Sequence, residues 1–65
     1  MTKEIVEIVK LSYSKRRGLY FLDVKDFTPR RVRMSYRGDS ISCDVGDEVL
    51  IEYTNDNMIH SIKKV

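Results

Sequence analysis

The side chains of this sequence that could do chemistry are its cations and its aromatic rings. Between Ser14 and Arg37 stand eight bases, Lys15, Arg16, Arg17, Lys25, Arg30, Arg31, Arg33 and Arg37, against two acids, Asp23 and Asp26, a net charge of +6 over that stretch. Between Gly38 and Asn57 stand six acids, Asp39, Asp44, Asp47, Glu48, Glu52 and Asp56, and no base. The whole chain carries only +2, so its total says nothing about a partner, whereas its distribution makes the molecule electrically two-sided. Tyr20 and Phe21 lie among the bases. A ring exposed beside guanidinium and ammonium groups is a surface on which nucleic-acid bases stack while phosphates are neutralised.

Other chemistries lack their residues. There is no phosphate-cradling glycine loop, no nucleophile in a Ser/His/Asp order and no His cluster, so no enzyme, catalytic residue or cofactor is expected. Cys43 stands alone, which excludes an intramolecular disulfide and the two-cysteine zinc patterns, and it reads as a small buried or half-buried thiol. His60 has no ligand-type neighbour at metal spacing. Asp44, Asp47 and Glu48 read as solvated acids where a strand begins, so no metal site is expected either. Arg37-Gly38-Asp39 matches an adhesion tripeptide that arises readily by chance.

The elements that must position the cations follow from length and alternation. Sixty-five residues, 42% of them apolar, have room for one core, and the expectation is a single domain over residues 1–65. No uncharged run approaches the roughly 20 apolar residues that span a bilayer. The segment MTKEIVEIVK mixes charges into its apolar residues, where a secretory signal needs an unbroken stretch, so cytoplasm and no membrane partner are expected. Gly18, Pro29, Gly38 and Gly46 punctuate the chain into runs Lys3–Tyr13, Leu19–Phe27, Arg30–Tyr36, Asp47–Tyr53 and Met58–Val65, with Thr54 to Asn57 as a polar turn.

In the third run Val32, Met34 and Tyr36 share one parity and Arg31, Arg33 and Ser35 the other, the signature of a strand with one wet face. The fourth repeats it, with Val49, Ile51 and Tyr53 opposite Glu48, Leu50 and Glu52. In the second, Leu22 and Val24 mark the core side, leaving Phe21, Asp23 and Lys25 outward. The first run also fits a helical stripe through Ile5, Ile8 and Val9; its β-branched residues favour strand, with a bulge where the parity slips after Ile8. A second slip predicts a bulge near His60 or Ser61. Five short strands without a long helix leave vulnerable edges unless they roll up, so the fold class is an all-β, five-stranded antiparallel small barrel.

The segment IVEIVKLSYSKRRGLYFLDVKDFTP resembles the opening of OB-fold nucleic-acid-binding domains: a long first strand, a basic turn closed by Gly, and an aromatic-apolar second strand ending in Asp and a turn. DVGDEVLIEYTNDNMIHSIKKV is similar to the closing hairpin of that fold, with Gly46-Asp47 at its start. Arg17-Gly18-Leu19-Tyr20-Phe21-Leu22 is faintly similar to the basic-Gly-aromatic motif of cold-shock domains, although Leu19 and Tyr20 replace an aromatic and a glycine there. The helix that often joins strands three and four has no room between Arg37 and Gly46, which keeps a Src-homology-type barrel as the alternative.

The resemblance implies a ligand surface on the outer face of strands two and three and the adjoining loops. Parity puts Phe21, Lys25, Arg31 and Arg33 there, with Lys15, Arg16 and Arg17 extending it; if the register flips by one, Tyr20 takes the place of Phe21. The expected function is binding of single-stranded nucleic acid, DNA or RNA, with little sequence preference. The alternative is a non-enzymatic protein-interaction module docking a partner through its basic face, acidic side or a sheet edge. So small a barrel grips few nucleotides, which makes a homo-oligomer or a protein partner a further expectation.

Overall fold

The computed structural model describes residues 1–26, 30–38 and 40–65. Five strands are formed: β1 (Thr2–Ser14), β2 (Leu19–Lys25), β3 (Arg31–Tyr36), β4 (Glu48–Tyr53) and β5 (Met58–Lys64). They close into a barrel in the order β1-β2-β3-β5-β4, β4 returning to β1. This is the expected all-β, OB-like architecture. It departs from a wholly antiparallel barrel at one seam, where Ser35 and Tyr36 of β3 meet Met58 and Ile59 of β5 in parallel. The first run is strand throughout its described length rather than helix. The turn expected around Phe27, Thr28 and Pro29, and the acid Asp39, lie outside the described residues.

The core is what the alternation requires. Val6 and Ile8 of β1, Leu22 and Val24 of β2, Met34 of β3, Val49 and Ile51 of β4 and Ile59 of β5 are buried together with Cys43. Among the described residues no polar side chain is buried with them. Taking each large aliphatic side chain out of water contributes about 1.5–3 kcal/mol. Among the described residues between β3 and β4 no helix stands; instead Ile41 packs against the core and Cys43 enters it.

Two bulges let strands this short close. The β1–β2 register steps from Ile8↔Val24 to Lys10↔Asp23, so Val9 is the extra residue, and beyond it Leu11 and Tyr13 fall opposite Leu22 and Tyr20. β1 thereby serves two neighbours, β4 over Thr2 to Glu7 and β2 from Glu7 onward. At the bend the Ile8 N–H donates to the Asp47 carbonyl at 3.0 Å and the Gly46 N–H to the Ile8 carbonyl at 2.8 Å. The β4–β5 register steps from Glu52↔Ser61 to Tyr53↔Ile59, which leaves His60 as the second extra residue. Each bulge bends its strand and adds twist, which a small barrel needs to meet itself.

Gly18 closes the β1–β2 turn at φ 65°, with its N–H on the Ser14 carbonyl at 2.8 Å. A Cβ there would meet nothing within 4 Å, so the cost of Gly18→Ala is purely conformational. It is expected to be about 1 kcal/mol, a fall in Tm of about 4–8 °C for a domain of this size, read by thermal denaturation. An unchanged Tm would show that the turn relaxes to another form.

Cys43 offers a second check. Burial first, then the carboxylates of Asp47 and Asp44, push its thiol above the ordinary value of 9.0. The native thiol is thus expected to react with an alkylating reagent at pH 8 more slowly than in denaturant, because the thiolate is the nucleophile and burial restricts access to it. The folded state keeps this proton longer than the unfolded chain. Its contribution to stability is complete below pH 9.0 and declines as pH rises through the folded thiol's raised value.

Candidate nucleic-acid interface

Register carries the outward side chains into three rows across β1, β2 and β3: Ser12–Phe21–Ser35, Lys10–Asp23–Arg33 and Glu7–Lys25–Arg31. Cross-strand neighbours share a side of the sheet, so these rows form one surface. Phe21 is half-buried and absent from the side chains packed against the core. Its in-register neighbours are two serines, too short to cover the ring. Lys25, Arg31 and Arg33 are exposed.

Above Phe21 stands the turn. Lys15, Arg16 and Arg17 are all exposed, and the Arg17 N–H reaches the Ser14 hydroxyl at 3.4 Å. From Leu19 to Lys25 is about 20 Å of strand, with the ring between the basic turn at one end and Lys25 and Arg31 at the other. On the far side of β3, the Ser35 N–H donates to the Asn57 carbonyl at 3.1 Å and the Ser35 hydroxyl lies 3.5 Å from the Met58 Sδ. The β4–β5 turn therefore adjoins the Phe21 row. Asn57 adopts φ 61° there, and a hydrogen bond from the Thr54 hydroxyl holds the Asp56 carboxyl below its usual range.

Asp23 looks unfavourable for a phosphate-binding face, but it lies in register between Lys10 and Arg33. The Arg33 Nε approaches Asp23 Oδ1 at 3.5 Å, an exposed pair contributing at most about 1 kcal/mol. The two lower rows hold four bases and two acids, so the face stays cationic. Lys25 and Arg31 are cross-strand neighbours of like charge, an arrangement that favours an anion between them. Arg30 is engaged elsewhere, its guanidinium 2.9 Å from Asp26 Oδ2.

Tyr20 is not part of this face. It shares the inner parity and packs against the core, its ring centroid 4.7 Å from that of Tyr13 and 6.4 Å from that of Tyr36. The three tyrosines form a ladder at one mouth of the barrel, and Gly38 lies so close over Tyr36 that a Cβ there would stand 2.7 Å from its ring. Lys10 and Ser12, conversely, belong to the surface although alternation alone does not assign them. The slip in parity after Ile8 was the available signal.

At the opposite mouth the Tyr53 hydroxyl donates to Glu4 Oε1 at 3.3 Å. Desolvation first, then the Glu4 charge, raises the Tyr53 phenol. Asp44 and Asp47 are committed to their own turn, the Asp44 N–H on Asp47 Oδ2 at 2.9 Å and Lys64 Nζ 3.7 Å from that same oxygen. Among the described residues no three His, Cys, Asp or Glu side chains are grouped to hold a metal ion, and no helix is long and apolar enough to cross a membrane. The chain matches no protein-family model, no curated protein and no solved structure.

Proposed function

We propose that this barrel binds single-stranded nucleic acid, DNA or RNA, with little sequence preference, through the outer face of β2 and β3 and the basic β1–β2 turn. The observation that carries the reading is the setting of Phe21: a half-buried ring on the outer parity, flanked in register by two serines, with exposed cations above and below it. Phe21 offers a stacking platform, Lys25, Arg31 and Arg33 meet phosphates on the sheet, and Lys15, Arg16 and Arg17 meet them beyond it. Stacking uses the π-face that every base has, and phosphate contacts carry no sequence information, hence the weak preference. A single cysteine with no partner for an internal disulfide is in keeping with the cytoplasm.

Titration of fluorescent oligothymidylate and oligouridylate tests this. With about six phosphate contacts, log affinity is expected to fall with log salt at a slope of about −4. No binding at low salt, or a flat salt response, would remove the reading. Binding that needs a protein partner and survives nuclease would favour the protein-docking alternative.

A further inference from the structure

A second outward surface, on β1 and β4, borders that face and shares Glu7 and Lys25 with it. On β1 and β4, register pairs Ile5 with Leu50 and Glu7 with Glu48. Ile5 is 41% and Leu50 38% exposed, an apolar pair on the outside of the barrel. Beside it a groove of about 160 Å³ is lined by Ile5, Val6, Glu7, Lys25, Asp26 and Glu48, three carboxylates to one ammonium group. Like charges directly opposite each other across a ladder destabilise a sheet, and among the described residues neither Glu7 nor Glu48 has an ion-pair partner. Apolar side chains beside a pair of facing carboxylates fit a side chain that buries a methylene stem and presents a guanidinium.

The molecule itself carries such groups on the β1–β2 turn, where Arg16 and Arg17 are both exposed. The turn cannot reach its own groove, because Glu7 and Lys15 are separated by about 26 Å of strand. The net charge of +2 sets up little long-range repulsion between copies. We infer that the β1–β4 face is a docking surface for a second copy of this chain, whose Arg16 and Arg17 enter the groove between Glu7 and Glu48 over Ile5 and Leu50. The contact is heterologous: each copy uses a different surface to receive and to insert, so association proceeds head to tail and is not limited to a dimer. Attraction across exposed charges is screened over about 10 Å at 0.1 M salt, so assembly belongs to low ionic strength.

The inference does not rest on nucleic-acid binding and is tested without it, by sedimentation velocity on nuclease-treated protein over a range of concentrations. At low salt, species of two and more times 7.7 kDa are expected, receding at high salt. The double variant Glu7→Gln/Glu48→Gln and the double variant Arg16→Gln/Arg17→Gln should each weaken association by at least about tenfold. Mixed in equal amounts they should form a one-to-one complex and stop there, since each keeps one working surface. All four positions are exposed, and thermal melts near that of the wild type establish that the variants fold. A wild type monomeric at every concentration at low salt would overturn the inference. So would association unchanged in either variant, or no complex on mixing.

Discussion

Replacing Leu22 with alanine is expected to cost about 2–5 kcal/mol, the range for deleting a leucine side chain from a closed core. Leu22 is fully buried at the centre of β2, in register with Leu11 on β1 and Met34 on β3, so three strands lose a packing partner together. A chain of 65 residues has a total stability of roughly 3–10 kcal/mol, and the variant gives up about half of it. Urea denaturation reads this directly: the midpoint should fall sharply while the slope stays near that of the wild type. A loss below 1 kcal/mol would mean that the barrel collapses around the vacancy, contrary to a core held by closure on all sides.

The adjacent residue should behave in the opposite way. Phe21→Ala is expected to lower affinity for a single strand by about 5- to 150-fold, the range for losing one base–aromatic stack, with a midpoint in urea shifted far less than for Leu22→Ala. Phe21→Tyr should retain most of the affinity, because the ring remains. Intact affinity in Phe21→Ala would sink the stacking role, and a stability loss as large as that of Leu22→Ala would show that the ring belongs to the core. Arg31→Ala should weaken binding uniformly across sequences and reduce the salt slope by about one contact's share.

How much of this was legible depended on local chemical contrast. In β3, arginines alternate with Val32, Met34 and Tyr36, so the sequence alone orients the strand, and the structure agrees. In β2 two aromatic residues stand side by side at Tyr20 and Phe21, and no difference in polarity decides which points inward; the pairing with β1 and β3 does. The bulge at Val9 announces itself as a slip in the apolar pattern, yet it takes the register across β1 and β2 to show that Lys10 is thereby delivered beside Asp23. The parallel seam between Ser35–Tyr36 and Met58–Ile59 joins distant parts of the chain, and nothing local encodes it. The acidic half, read as one block, is divided by the fold: Asp44 and Asp47 are occupied by their turn and Lys64, while Glu48 is set against Glu7.

The tyrosine ladder has a practical consequence. The chain has no tryptophan and four tyrosines, three of which lie ring beside ring across β1, β2 and β3. Their mutual orientation gives the folded state a near-ultraviolet circular dichroism band that vanishes when fixed packing is lost. The protein thus carries an intrinsic, label-free optical gauge of whether those three strands are in alignment.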